Sequence, residues 1–217
     1  MNIFQYWPEL AQGIRYTVQV TVLAFLIAAA LAVPVTGLRV SRLGLLSFVG
    51  TCYVELLRGV PPLAWLFIVY FGLPAVGWFI EPLTAGTVVL GVVYSSYLVE
   101  VYRAGLRAIP DGQREAAQSL GLGRVVTYTR VIGPQALRTV LPPAVAYLIA
   151  LLKDSALVST IGVLDVTAQA LSLGRSSSNG LAVFVSAAAL YLAFSVPIGA
   201  FARQLDVRLR HGQKAMA

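Results

Sequence analysis

The sequence has one cysteine, Cys52, and one histidine, His211, in 217 residues. A lone cysteine excludes an internal disulfide and any cysteine-rich metal cluster, and Cys52 itself reads as a small buried apolar residue. A lone histidine in the tail leaves no Ser/His/Asp or metal-ligand set to assemble, so no catalytic residue, cofactor or metal is expected in this chain. Charge is also scarce. Asp, Glu, Lys and Arg make up 12% of the residues, where a soluble domain carries about 25%. No Gly-x-x-x-x-Gly-Lys-Ser/Thr loop occurs, so the usual phosphate cradle for ATP is missing. Residues 1–10 contain no Lys or Arg; the charged start of a cleavable signal is absent, and the first apolar run is expected to be retained. No repeat and no linker divides the chain, which is expected to form one domain over 1–217.

What the sequence has in quantity is apolar surface: 58% of it is hydrophobic, with a mean hydropathy of +0.80. Five apolar runs stand out, at 13–38, 51–73, 83–103, 137–161 and 181–201. Each is long enough to cross about 30 Å of hydrocarbon at 1.5 Å per residue. Isolated strands would leave backbone groups unpaired in lipid, so the runs must be helices. The expected fold is an all-α integral membrane protein with five transmembrane helices.

The basic excess, +7, does not point to nucleic acid, because the aromatics lie in the apolar runs and not among the arginines. It tracks the connections instead. One set of connections carries Arg39, Arg42, six arginines from Arg103 to Arg138, and Arg203, Arg208, Arg210 and Lys214, twelve basic residues in all. The other carries only Arg15 and Arg175, with Glu9, Glu81 and Asp165 beside them. The positive-inside rule then predicts an outside N-terminus and a cytoplasmic C-terminus.

The longest cytoplasmic connection, 104–136, falls between spans three and four. Pro110 and Asp111 suit a helix start, "QREAAQSL" continues it, and Gly121 and Gly123 stop it. Ala116, Ala117 and Leu120 are expected to share a narrow apolar face. Surface-seeking helices carry larger apolar residues, so this face suits docking on a protein better than on lipid. A second short helix, "RVVTYTRVI", is expected to end at Gly133-Pro134.

Ionisable residues within spans are candidates for function. Ser96, Tyr97 and Glu100 fall on one face of span three; that face lines a path, or Glu100 pairs with Arg103 or Arg107. Lys153, Asp154 and Ser155 line a path in span four, or their charges pair across the bundle. Glu55 and Arg58, three residues apart, suit a local salt bridge. "GVPP", residues 59–62, breaks span two, and broken helices offer backbone groups to ligands. Trp7, Trp65 and Trp78 read as interface anchors or packing.

"EAAQSLGLGRVVTYTRVIGPQALR" resembles the EAA signature of permease subunits in bacterial ABC importers, with Gly133 where that family usually has Leu before the proline. "ELLRGVPPLAWLFIVYFGLP", "SYLVEVYRAGLRAIPDGQ" and "ALLKDSALVSTIGV" resemble the polar amino acid branch. The resemblance implies a multi-pass permease of the bacterial inner membrane. It makes Glu115, Ala116, Ala117, Leu120 and Gly121 part of a coupling helix seated on an ATPase. It implies two ATPase subunits holding ATP and Mg, a second permease copy or paralogue, and an extracytoplasmic binding protein. The alternative is a passive channel or scaffold whose cytoplasmic loop binds a regulator.

Overall fold

The computed structural model describes residues 3–214, with side chains for 5–204, 206 and 207. The side chains of Arg208, Arg210, His211 and Lys214 lie outside the described residues. A short helix, α1 (Trp7–Ala11), leads through Gly13 into α2 (Ile14–Arg39). The buried positions Val20, Ala24, Ala28 and Ala32 recur every fourth residue of α2. This stripe of small side chains lets a second helix backbone approach closely.

Span two is not the single helix that its apolar run suggests. α3 (Gly44–Gly59) and α4 (Pro62–Gly72) meet at a bend of 94°. A proline disfavours helical geometry in the residue before it. Accordingly Val60 is extended (φ −115°, ψ 134°), as is Pro61 (φ −57°, ψ 141°), and Pro62 opens α4. At about 24 and 16 Å, neither leg covers the hydrocarbon alone. The described residues hold four helices long and apolar enough to span a membrane, or five if the bent pair is one span. Cys52 on α3 is exposed, not buried. On a membrane helix lipid accommodates a small apolar side chain as well as a protein core does.

α5 (Pro82–Arg107) is the central element. Of its most apolar window 67% is buried, against 28–33% for the other continuous spans. A Cβ on Gly86, Gly91 or Gly105 would lie 2.7, 2.8 or 2.4 Å from Val158, Ile27 or Val140 respectively. Glycine at these three places lets α5 sit flush against its neighbours. α2 and α5 run parallel: Gly91 lies against Ile27, and Thr36 donates to the Val99 carbonyl (3.5 Å).

After α5 come α6 (Asp111–Ser119), α7 (Arg124–Val126) and a π-helical turn, Thr127–Ile132, which feeds directly into α8 (Gly133–Asp154). The expected break at Gly133-Pro134 does not occur. An α-helix would drive the Pro134 ring into the carbonyl four residues back. The wider π turn, in which the Gly133 N–H donates to the Tyr128 carbonyl, removes that clash. α8 continues as a 3-10 turn, Ser155–Ile161, and the chain reverses at Gly162 (φ +94°). α9 (Val166–Ser176) and α10 (Gly180–Lys214) complete the fold.

Residues of α1, α9 and α10 (Leu10, Val166, Ala170, Val183 and Leu190) form a second core at one end of the bundle. Trp7 packs against that cluster, Trp65 packs on the main core, and Trp78 is exposed. Loop 40–43 and the segment after α5 share the opposite end, where they line common cavities.

Candidate functional site

Proline at 110 (φ −58°, ψ 140°) turns the chain out of α5, and α6 begins at once with Asp111. Arg114 fastens the helix from beneath: Nη1 donates to Asp111 Oδ1 (2.8 Å) and Nη2 to the Leu106 carbonyl (3.3 Å). Gln135 of α8 donates to Gln113 Oε1 (3.1 Å). α6 is thereby tied to both α5 and α8. Its far end closes in a Schellman arrangement, with Leu122 N–H donating to the Ala117 carbonyl (3.0 Å) and Gly121 N–H to that of Gln118 (2.9 Å). This closure places Gly121 at φ +69°, a conformation that a Cβ makes costly.

The expected apolar face is divided. Neighbouring helical residues point about 100° apart, so Ala116 and Ala117 cannot face the same way. Ala117 is buried beneath α6 (2% exposed), whereas Ala116, Glu115 and Leu120 (77% exposed) point outward. The surface open to another molecule is therefore Glu115–Ala116–Leu120, and Arg114, Ala117 and Gln118 form the inner side.

Among the polar residues of the spans, Glu100 is engaged from two sides. Its Oε1 accepts from Arg39 Nε (3.0 Å) and its Oε2 from Arg103 Nε (3.0 Å) and Nη2. Arg39 also meets Glu55 (3.7 Å). The local Glu55–Arg58 bridge is absent: Glu55 turns to α2, and the Arg58 guanidinium lies 5.2 Å over the Tyr97 ring. Ser96 and Ser155 are buried and donate to carbonyls of their own helices, Val93 (2.6 Å) and Leu152 (2.8 Å). Asp154 accepts from the Tyr94 hydroxyl (2.8 Å), and Lys153 is exposed, so the two point apart.

Tyr94 and Tyr147 are absent from the sequence reading, yet they complete this constellation. The Tyr97 ring lies 5.6 Å from Tyr94 and 5.4 Å from Tyr147 of α8. A continuous row follows, from the Arg58 cation over Tyr97 to Tyr94 and the Asp154 carboxylate. The i, i+3 spacing of Tyr94 and Tyr97 was a usable signal; the approach of Tyr147 depends on how α8 packs. Among the described residues no group of three or more His, Cys, Asp or Glu side chains is placed to hold a metal.

Comparison with known proteins agrees with this architecture. A family profile described as "Binding-protein-dependent transport system inner membrane component" matches residues 21–211. A probable amino-acid ABC transporter permease of Sinorhizobium fredii is 34% identical over 202 residues, covering 93% of this chain and 87% of the relative. The L-cystine transport system permease of Bacillus subtilis is 34% identical over 187 residues, covering 86% and 80% respectively. A crystal structure of an amino acid ABC transporter with histidines superposes with a TM-score of 0.87 at 32% identity, covering 94% of this chain and 95% of that one.

Proposed function

Because the chain belongs to the inner-membrane components of binding-protein-dependent transport systems, we propose that it is the permease of an importer for polar amino acids or close analogues. It is a multi-pass permease of an ABC importer, and in this family ATP is hydrolysed by a separate subunit. A binding protein and an ATPase are its partners. Residues 1–217 act as one permease domain, with the N-terminus outside and loop 40–43, the 104–136 segment and the end of α10 in the cytoplasm. The twelve-to-two division of basic residues supports that orientation. Two copies, or this chain and a paralogue, pair with two ATPases.

α6 is the coupling helix. One observation carries this assignment: α6 projects Glu115, Ala116 and Leu120 outward while Arg114 and Gln113 bind it to α5 and α8. A push on the exposed face is thus delivered to both helices that hold the tyrosine row. That row sets a cation, Arg58, and a carboxylate, Asp154, at its two ends. It has the charge pattern to pass a zwitterion, with Tyr97, Lys153 and Asp154 beside the path. Ser96 and Ser155 shape the helices behind it, and Glu100 closes the cytoplasmic end through Arg39 and Arg103. The names of the relatives support an amino acid as cargo.

The test is Leu120→Asp, which places a charge in the contact without disturbing the buried side of α6. Loss of one docking element of this kind costs a few kcal/mol, or roughly 10- to 1,000-fold in affinity. The variant should insert normally, while uptake and binding-protein-stimulated ATP hydrolysis fall together. Parental transport with a full ATPase complement would remove α6 from the coupling role. The same assay with a panel of amino acids identifies the cargo.

A further inference from the structure

The inner side of α6 and loop 40–43 enclose a groove at the end of the helix bundle. It consists of two adjoining cavities of about 400 and 440 Å³ that share Val40, Ser41, Arg42, Arg114 and Tyr128. Arg124 lines the first, Arg39 and Arg107 line the second, and no carboxylate lines either. Arg42, Arg107 and Arg124 form no ion pair among the described residues. Arg39 and Arg114 are held by Glu100 and Asp111, yet Arg39 Nη1 and Arg114 Nε are buried without a hydrogen-bond partner. Five guanidiniums in one groove repel one another, and buried donors left unmet are costly. An anion with several acceptor oxygens relieves the mutual repulsion, and phosphate geometry matches the guanidinium fork.

We propose that this groove binds the phosphate headgroup of an anionic phospholipid. Its position selects a lipid over free phosphate. The groove lies where α2 and α5 end, which is the level at which basic pockets between membrane helices meet lipid headgroups. It opens onto the start of α3, where Leu43, Leu45 and Phe48 are 66%, 75% and 65% exposed. Those side chains give the acyl chains an apolar track leading away from the phosphate. Arg114 and Gln118 face the groove from the side of α6 opposite Ala116 and Leu120, so a protein seated on the outer face leaves the lipid in place. The site does not depend on the coupling role of α6.

The experiment compares lipids retained by the full transporter in nanodiscs of mixed phosphatidylglycerol and phosphatidylcholine, read by native mass spectrometry. The parent and Arg203→Gln, which removes an exposed charge on α10, should both retain phosphatidylglycerol selectively. Arg42→Gln/Arg124→Gln should lower that preference about thirtyfold, as expected for two cations near an anionic surface. Arg42→Lys/Arg124→Lys should keep most of it. If the double variant does not assemble, Arg42→Gln alone, on the exposed loop, should lower the preference about fivefold. Undiminished preference in the glutamine variants overturns the proposal, as does equal retention of the two lipids by the parent. Displacement of the lipid by millimolar inorganic phosphate also overturns it and assigns the groove to a free anion.

Discussion

Asp165 shows how far a single carboxylate departs from its sequence context. By sequence it is one acid in an outer connection. In the structure it is buried, caps α9 through the Ala168 N–H (2.9 Å), and accepts from the Tyr191 hydroxyl (3.3 Å). Burial pushes its carboxyl above the ordinary value, against the lowering effect of those hydrogen bonds. The folded chain therefore holds this proton more tightly than the unfolded chain. Its contribution to stability is greatest at low pH, falls as the pH rises from about 4 through the raised folded value, and then levels off. Asp165→Asn keeps an N-cap acceptor and removes the titration. In thermal unfolding in detergent, followed between about pH 4 and 7, Asp165→Asn should lose less stability, or gain more, with rising pH than the parent. Identical slopes would show that this carboxyl does not titrate differently on folding.

At the scale of elements, α5 holds the bundle together through what its glycines omit. A Cβ on Gly91 would meet the branched Cβ of Ile27 at 2.8 Å and the Ala24 carbonyl at 3.1 Å, neither of which swings aside. Gly91→Val should destabilise the chain by about 1–3 kcal/mol through overpacking. Gly37, in α2, has nothing within 4 Å of such a Cβ. Gly37→Ala should be neutral or stabilising by up to about 1 kcal/mol, because glycine is a poor helix former. Melting temperatures of the two variants in one detergent decide the matter; a tolerated Gly91→Val would mean that the α2–α5 contact is loose. The small residues at every fourth position of α2 stand out only once their burial is known, because a stripe in the sequence does not say which helix it faces.

For the whole molecule, two of the positive connections meet at one end: loop 40–43 and the α6 segment line a common groove. The orientation proposed above is tested by labelling single cysteines with an impermeant thiol reagent. Cys52 is exposed, so the background must be Cys52→Ser. Ser178 and Ser119 are exposed at opposite ends of the chain's fold. In intact cells Ser178→Cys should be labelled at once, and Ser119→Cys only after the membrane is opened. The reverse pattern would invert the orientation.

Hydropathy and charge along the chain were enough to determine a helical membrane protein with several apolar helices long enough to span a bilayer. These are local properties: length against bilayer thickness, arginine against leucine, proline and glycine at helix ends. Tertiary structure alone decided which way each side chain looks. It turned Ala117 inward and Ala116 outward, gave Glu55 to Arg39 and left Arg58 to Tyr97, and let the π turn carry α8 through Pro134. It also brought Tyr147 to Tyr97 and five arginines to one groove. Such groupings join residues far apart in the chain, as Arg42 and Arg124 are on one cavity, and no spacing rule within one helix reaches that far.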